Sequence, residues 1–399
     1  MGLTSQKLQI LIAALAVVCF AAAVWLWPRL SGRSWRALLG RIGALLVSQL
    51  LTLMAIALAA NNWGAFYSSW SDLLGTDQGG GAVTIGGPPV ASTGSTDGPR
   101  SSVDVQGSKP VALQLPGHPG LSGGTVQQVS IHGGGTGLTE PGFVYLPPQY
   151  QDPAYAKTRF PVIVVFTGYP GNATSLITRM KYPTVAAQAI QQQQMSPTIL
   201  VLMRPSVAMP RDTECQDVPG GPQAESFFTR DLRQAMASRY RAETQASGWG
   251  VIGDSTGGYC ALKITMRHPE AYTVAASLSG YYKSAVDSTT GSLFGGSSRL
   301  QDENDLMWRL KNLPHPKVSL LVSSSKKGEG DYRATLAFAA AANGQTSVGT
   351  LILPEGGHNF GTWNRETPAA LRWMSARLSP PLSGSSVPGP VPGTGVDSS

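Results

Sequence analysis

The sequence predicts an α/β protein, with a doubly wound and mostly parallel sheet, that follows two transmembrane helices. Two long apolar stretches near the N-terminus predict the helices. Beyond residue 125, short β-rich runs alternate with helical windows, which is typical of a parallel sheet covered by helices. Of the 399 residues 42% are hydrophobic, which excludes a wholly disordered chain, whereas 47 glycines and 29 prolines indicate linkers beside the core.

The two apolar stretches are long enough to cross a membrane. Residues 8–27 carry no charge, and residues 42–60 contain only Ser48, Gln49 and Thr52 as polar side chains. A helix of about 20 residues rises about 30 Å, which is the thickness of the hydrocarbon core of a bilayer. Each stretch is therefore expected to form one membrane-spanning helix.

The positive charges predict how these helices are oriented. The segment between them holds Arg29, Arg33, Arg36 and Arg41, and short loops rich in arginine stay in the cytoplasm. The N-terminus and everything after residue 60 are then outside the membrane. A cleaved signal peptide is the alternative for the first stretch, but its positive charges would precede the apolar residues, whereas here they follow them.

The same charges explain most of the net charge of +7. Five basic residues precede the first acidic residue, Asp72, and the rest of the chain is nearly balanced. Such a distribution does not form a polyanion-binding surface. We therefore expect a membrane-embedded protein with no nucleic-acid partner.

Composition divides the chain into four segments. The membrane helices and the cytoplasmic basic loop between them occupy residues 1–74. Residues 75–125 are mostly Gly, Ser, Thr, Pro and Asp, which cannot bury enough apolar area to offset the entropy of ordering, and they predict a flexible linker. A folded domain is expected over residues 126–378, and the tail over residues 379–399 is expected to be disordered.

Alternation within the folded domain predicts its elements. Apolar runs such as PVIVVF indicate parallel strands that are covered on both faces. The strand candidates are 126–131, 142–146, 161–166, 198–203, 248–252, 273–278, 318–323 and 348–353. The helix candidates are 184–193, 224–240, 257–268, 302–310, 331–343 and 367–377.

The motif GDSTGG at residues 253–258 predicts a nucleophile. It lies between an apolar strand candidate and a helix candidate. G-x-S-x-G at such a corner is the nucleophile elbow of α/β-hydrolases, in which the turn is so tight that flanking residues must be small. The serine hydroxyl then lies at the positive end of the following helix. We predict Ser255 as the nucleophile; the alternative is an ordinary glycine-rich turn.

Chain order identifies the general base. In α/β-hydrolases the acid and then the histidine follow the serine. His268 ends the nucleophile helix, where a histidine ordinarily interacts with the helix dipole, and His315 lies in a loop between prolines. His358 follows the last strand candidate directly, and we predict it as the base. A trypsin-like protein is excluded, because it would be all-β with its histidine ahead of the serine.

The acid of the triad is expected in the loop SKKGEGDY, which follows the preceding strand candidate. This acid holds the tautomer of the imidazole and stabilises the imidazolium. The loop offers two carboxylates with one residue between them, Glu329 and Asp331. We predict Glu329, with Asp331 as the alternative.

The oxyanion hole requires two backbone N–H groups. One comes from the residue after the nucleophile, Thr256, and the other from the loop after an early central strand. That loop is TGYPG at residues 167–171, in which Pro170 has no N–H. Gly168 or Tyr169 is therefore the expected second donor.

Two cysteines are expected outside the membrane, where disulfides persist. Cys260 lies one turn into the nucleophile helix, so a bridge to Cys215 would fix the 205–222 loop beside the active site. Two separate buried thiols are the alternative. The sequence contains no HExxH, CxxC or phosphate-loop motif, so we expect no metal and no cofactor.

These motifs together resemble the esterase D family of α/β-hydrolases, which includes feruloyl-esterase-like and enterochelin-esterase-like enzymes and the mycolyltransferases of bacterial cell envelopes. The resemblance covers residues 140–378 and rests on YLPPQY, RFPVIVVFTGYPG, GDSTGG and GGHNFGTW. Two membrane helices before such a domain are similar to the membrane-anchored esterases of high-GC Gram-positive bacteria.

The resemblance implies further site residues. In the mycolyltransferases aromatic residues follow the catalytic histidine at the positions held here by Phe360 and Trp363, which implies that both contact substrate. Their acid is a glutamate, which implies Glu329. The loop TGYPG departs from the Asp-Gly-Leu-Arg stretch that helps those enzymes bind trehalose.

We therefore expect an extracytoplasmic serine esterase that acts on a small-molecule or lipid ester through an acyl-enzyme. Transfer of the acyl group to a sugar or another alcohol is the alternative, because the same triad supports both reactions. A non-catalytic binding module on a hydrolase scaffold is the second alternative, and the presence of both Ser255 and His358 argues against it.

Overall fold

The computed structural model describes residues 5–32, 34–64, 70, 100–112 and 122–383. Two long helices come first: α1 spans Gln6–Leu26 and α2 spans Trp35–Gly64. Both are long and apolar enough to cross a membrane by length and composition. The second helix extends beyond the predicted residues 42–60 at both ends.

A nine-stranded mixed sheet forms the centre of the domain, in the order β1-β2-β3-β6-β5-β7-β8-β9-β10. The first three strands and the pair β3–β6 are antiparallel, whereas the strands from β6 to β10 are parallel. The strands are β1 Ser102–Ala112, β2 Ser122–His132, β3 Thr139–Leu146, β4 Thr158–Arg159, β5 Val162–Phe166, β6 Ile199–Met203, β7 Trp249–Asp254, β8 Val274–Leu278, β9 Ser319–Ser325, β10 Ser347–Leu353 and β11 Leu382–Ser383.

Helices cover both faces of this sheet. They are α3 Ala173–Thr178, α4 Tyr182–Gln191, α5 Ala224–Ser226, α6 Leu232–Arg239, α7 Thr256–Arg267, α8 Ser298–Glu303, α9 Leu306–Asn312, α10 Tyr332–Ala341 and α11 Phe360–Ser375. A π turn at Phe227–Asp231 joins α5 to α6, and 3₁₀ turns lie at Pro148–Tyr150, Pro153–Tyr155 and Ala246–Gly248. The predicted helix 224–240 is therefore interrupted, and α3 was not predicted.

The central strands show why an uninterrupted apolar run was a reliable signal. Every residue of β5 is buried. Val162, Val164 and Phe166 pack in one hydrophobic cluster, whereas Ile163 and Val165 pack in another. Since successive side chains of a strand point to opposite faces, the two clusters are the two cores of a doubly wound sheet.

The folded domain begins earlier than predicted. Strand β1 lies inside the predicted linker of residues 75–125 and pairs with β2 from Ser102 opposite His132 to Ala112 opposite Ser122. Val103 on β1 is buried in the core. The average composition of the segment concealed this strand, because its few apolar residues alternate with polar ones. The predicted linker residues 75–99 and 113–121 lie outside the described residues.

The C-terminal boundary also differs from the prediction of residue 378. Strand β11 pairs with β4 beyond that point, where Leu382 lies opposite Arg159. The chain therefore stays attached to the domain through Ser383. Residues 384–399, which are most of the predicted disordered tail, lie outside the described residues.

Candidate active site

Ser255 lies at the corner between β7 and α7, in backbone geometry that few residues adopt. Its φ is 53° and its ψ is −120°. A Cβ added to Gly257 would lie 2.6 Å from the carbonyl oxygen of Thr167, and one added to Gly253 would lie 2.4 Å from the carbonyl carbon of Gly257. Only glycine fits these positions, so the flanking glycines are a steric requirement of the elbow.

His358 lies in the loop between β10 and α11 and reaches the serine. Its Nε2 lies 2.8 Å from Ser255 Oγ. This is hydrogen-bonding distance for a base that removes the hydroxyl proton. Burial lowers the pKa of His358, an effect that the charges of Glu329 and, more weakly, Asp331 oppose.

Helix α11 provides a rigid support for the imidazole. The Trp363 ring meets the His358 ring edge to face, with centroids 5.1 Å apart, and its Nε1 donates to Ser279 Oγ at 3.0 Å. The side chain of Asn359 caps the helix by accepting from Thr362 N at 3.2 Å. Trp363 is buried and packs against the imidazole, and its contact with substrate stays a prediction. Phe360 packs against Trp363 and is only partly buried.

Both predicted acids lie near His358 but differ in their partners. Asp331 Oδ1 accepts from Ser324 Oγ at 2.8 Å. Both carboxylate oxygens of Glu329 are buried and have no hydrogen-bond partner among the described residues. Among the described residues, no hydrogen bond joins His358 Nδ1 to either carboxylate. Both candidate acids therefore lie near the histidine, and neither is paired with it.

A carboxylate that sequence reasoning missed controls the predicted oxyanion loop. Asp254 is buried, and its Oδ2 accepts the N–H of Gly168 at 2.8 Å. Burial raises the pKa of this carboxyl to about 7. Gly168, one of the two predicted oxyanion-hole donors on this loop, therefore donates its N–H to Asp254. The Tyr169 hydroxyl donates to the carbonyl of Pro210, which ties the loop to the neighbouring 205–222 segment.

A second set of buried groups contacts Thr256, the other predicted donor. The Tyr281 hydroxyl lies 3.1 Å from Thr256 Oγ1 and 2.6 Å from Glu214 Oε1. Burial, together with the charge of Asp212, raises the pKa of Glu214 to about 8. The side chain of Thr256 is therefore fixed by a polar chain that starts in the 205–222 loop.

The two predicted cysteines form a disulfide that holds the same loop on the nucleophile helix. Cys215 and Cys260 are bonded, with Cα atoms 5.9 Å apart. Next to them Lys263 is wholly buried, and its Nζ donates to the carbonyls of Glu214 at 3.0 Å and Cys215 at 3.2 Å and to Gln216 Oε1 at 2.9 Å. The loop is thus attached to α7 by one covalent bond and three hydrogen bonds.

The geometry and a comparison with solved structures define the fold. An S-formylglutathione hydrolase from Agrobacterium tumefaciens superposes with a TM-score of 0.52 at 16% identity, covering 64% of this chain and 96% of that one. A ferulic acid esterase gives 0.52 at 14%, with coverages of 70% and 99%. The fluorophosphonate-binding serine hydrolase F of Staphylococcus aureus gives 0.51 at 13%, with coverages of 63% and 98%. This chain has the α/β-hydrolase fold, as predicted.

Sequence comparison identifies the family within that class. The profile of the Esterase family, whose description is "Putative esterase", matches residues 139–374. This is more than half of the chain, and the chain belongs to that family. The predicted resemblance to this family is therefore confirmed.

One relative from Corynebacterium glutamicum, described as an uncharacterized protein, is similar over a shorter part of its length. It is 22% identical over 244 residues, which are 59% of this chain and 57% of that protein. The match thus spans little more than half of the relative.

Proposed function

We propose that this protein is a membrane-anchored, extracytoplasmic serine esterase that works through an acyl-enzyme with the triad Ser255, His358 and Glu329. The distance of 2.8 Å between Ser255 Oγ and His358 Nε2 is the observation that carries the proposal. In this mechanism His358 removes the hydroxyl proton while Ser255 attacks the ester carbonyl, and then delivers that proton to the leaving alcohol. Water attacks the acyl-enzyme in the second half of the cycle.

Glu329 is the better candidate for the acid because its hydrogen-bonding capacity is unused. Both of its buried oxygens have no donor among the described residues, whereas Asp331 has only Oδ2 without a partner and accepts from Ser324 with Oδ1. A buried carboxylate without a donor is costly, and an imidazole N–H is the donor that it lacks. The charge of Glu329 also acts on His358 more strongly than that of Asp331.

The proposed oxyanion hole combines the backbone N–H groups of Thr256 and Tyr169. Asp254 accepts the N–H of Gly168, which removes that group from the hole. Thr256 occupies the first position of α7, so its N–H lies at the positive end of that helix.

A membrane-impermeant fluorophosphonate tests the nucleophile and the topology together. We expect it to modify Ser255 on intact cells, with the adduct located by mass spectrometry of a digest. If Ser255 is labelled only after lysis, the assignment of the nucleophile stands, but the membrane orientation predicted from the arginines is wrong. No adduct under either condition would overturn the proposed function.

The pKa of His358 predicts the acid side of the pH profile. The imidazole acts as a base only when it is neutral, and burial lowers its pKa from 6.5. It therefore stays neutral at lower pH than a histidine with the ordinary pKa. We expect kcat/KM to be half-maximal below pH 6.5, measured with a soluble ester. The Asp254→Asn variant is the control, because it removes another buried carboxyl whose pKa of about 7 is close to this range. We expect the acid side of its pH profile to be half-maximal at the same pH as in the wild type.

Isosteric amides distinguish the two candidate acids. Glu329→Gln should reduce kcat by roughly 10³–10⁴-fold with little change in KM, since the neutral amide no longer stabilises the imidazolium. Asp331→Asn is the matched control and should reduce kcat by less than about tenfold. The reverse order of the two effects would assign the role to Asp331.

A further inference from the structure

Glu366 is a buried carboxyl close to the triad that has no role in the mechanism proposed above. It lies on α11, two turns after His358, and its side chain is inaccessible to solvent. Its Oε2 accepts a hydrogen bond from Ser323 Oγ at 2.8 Å. Its Oε1 is buried and has no partner among the residues that the structure describes.

The direction of these hydrogen bonds indicates which oxygen carries a proton. Ser323 Oγ accepts from the N–H of Ser279 at 3.2 Å and donates its own hydrogen to Glu366 Oε2. Oε2 is then the accepting, carbonyl-like oxygen, and Oε1 is the position for a hydroxyl. Burial raises the pKa of Glu366 to about 8, and the charge of Glu329 adds to this effect. The carboxyl is therefore neutral at pH 7, and its O–H requires an acceptor.

Glu329 is the acceptor that fits. Both of its oxygens are buried without a donor among the described side chains, and its charge acts on Glu366 more strongly than the charge of Asp331. Asp331 is bound by Ser324, whose side chain points to the opposite face of β9 from Ser323. Asp331 and Glu366 are thus held on different sides of the sheet.

We propose that Glu366, as a neutral carboxyl, donates its Oε1 hydrogen to one oxygen of Glu329 and so positions Glu329 behind His358. The other oxygen of Glu329 then accepts from His358 Nδ1. This inference rests on the proposed function, because it takes Glu329 as the triad acid. Glu366 is a positioning residue, since it touches neither the substrate nor Ser255. Its proton keeps the two neighbouring carboxyls from repelling each other.

The charged and titratable groups around Glu366 determine how its ionisation would be observed. They come from its own helix, from α4 and from the loop after β9, and they are Arg365, Tyr182, Glu329 and Asp331. Burial keeps the pKa of Tyr182 well above its usual range, so Tyr182 does not ionise near pH 8. Loss of the Glu366 proton would remove the donor to Glu329 and add a second negative charge.

Two substitutions of Glu366 distinguish the effect of its donated hydrogen from the effect of its side-chain volume. In Glu366→Gln the amide N–H still donates to Glu329, so kcat at pH 7 should stay within about fivefold of wild type. Glu366→Leu retains the volume but no donor, so kcat should fall at least about thirtyfold with KM unchanged. Glu270→Gln, which replaces an exposed carboxylate, is the control for a change of glutamate to glutamine.

The pH profile of kcat provides a readout that a purely structural role would not change. The wild-type value should fall above about pH 8 as Glu366 ionises, and this fall should be absent in Glu366→Gln. A wild-type profile without that fall, or the same fall in Glu366→Gln, would overturn the inference. If Glu366→Leu does not fold, the comparison of wild type with Glu366→Gln still decides the question.

Labelling distinguishes this inference from the function on which it rests. Fluorophosphonate modification of Ser255 is measured first on the wild-type protein, and its absence would overturn the proposed function. If the wild-type protein is labelled but kcat of Glu366→Gln still falls above about pH 8, only the proposed role of Glu366 is overturned.

Discussion

Replacing Ser255 with alanine should reduce kcat for ester hydrolysis by at least about a thousandfold without unfolding the domain. In the proposed mechanism this hydroxyl is the group that forms the acyl-enzyme. The left-handed φ of 53° is set by the elbow, because the backbone N–H of Ser255 donates to the carbonyl of Leu278 at 3.0 Å. Alanine keeps that hydrogen bond, so the loss should appear in kcat and not in the melting temperature.

Controls for this result use another serine and the base. Ser288→Ala changes an exposed serine in a nearby loop and should retain full activity. His358→Ala should be about as damaging as Ser255→Ala, and the double variant should be little worse than either, because residues that act as a unit are not additive. Turnover of Ser255→Ala within tenfold of wild type would contradict the assignment of the nucleophile.

Local features of the sequence were sufficient to select Ser255 and His358, which the structure brings together. The elbow depends on glycines within three residues of Ser255, and its steric requirement is visible in the motif. His358 could be selected because parallel strands deliver their loops to one edge of the sheet, which gives chain order a spatial meaning. The fully buried strands were equally visible, because burial on both faces leaves a continuous apolar run.

Residues whose roles depend on distant partners could not be predicted. Asp254 and Glu366 contact Gly168 and Ser323, which are remote in sequence, and nothing in a single sequence marks a carboxylate as buried. Lys263 gave no signal either, because a lysine in a helix is ordinarily exposed, whereas here it binds the carbonyls of the 205–222 loop. Strand β1 was missed because glycine, serine and proline around it dominate the local composition.

The buried polar groups of the site share one arrangement. Asp254 holds the loop after β5, Glu214 holds Thr256 through Tyr281, and Glu366 lies beside the acid loop after β9. Each carboxyl has one oxygen without a partner among the described residues, and burial raises the pKa of each. The loops around Ser255 are therefore fixed by groups that titrate near neutral pH, which predicts that the stability of the site depends on pH.

Removing the disulfide should lower the stability of the domain and then change its substrate range. The bond between Cys215 and Cys260 closes a loop with a sequence separation of 45. For about that loop length, chain entropy in the unfolded state predicts a loss of about 4 kcal/mol in the free energy of unfolding. We expect the melting temperature of the Cys215→Ser/Cys260→Ser variant to fall by roughly 8–16 °C.

The kinetic effect should be selective, because the loop remains partly attached. Lys263 still donates to the carbonyls of Glu214 and Cys215 when the sulfurs are removed, so the loop should loosen without detaching. We expect KM for esters with bulky acyl chains to rise before short esters are affected, since the loop borders Tyr169 and Thr256 through Pro210 and Glu214. Cys19→Ser, which changes the unbonded cysteine of α1, is the control and should alter neither property. A melting temperature within about 2 °C of wild type, or an equal rise in KM for short and bulky esters, would contradict this account.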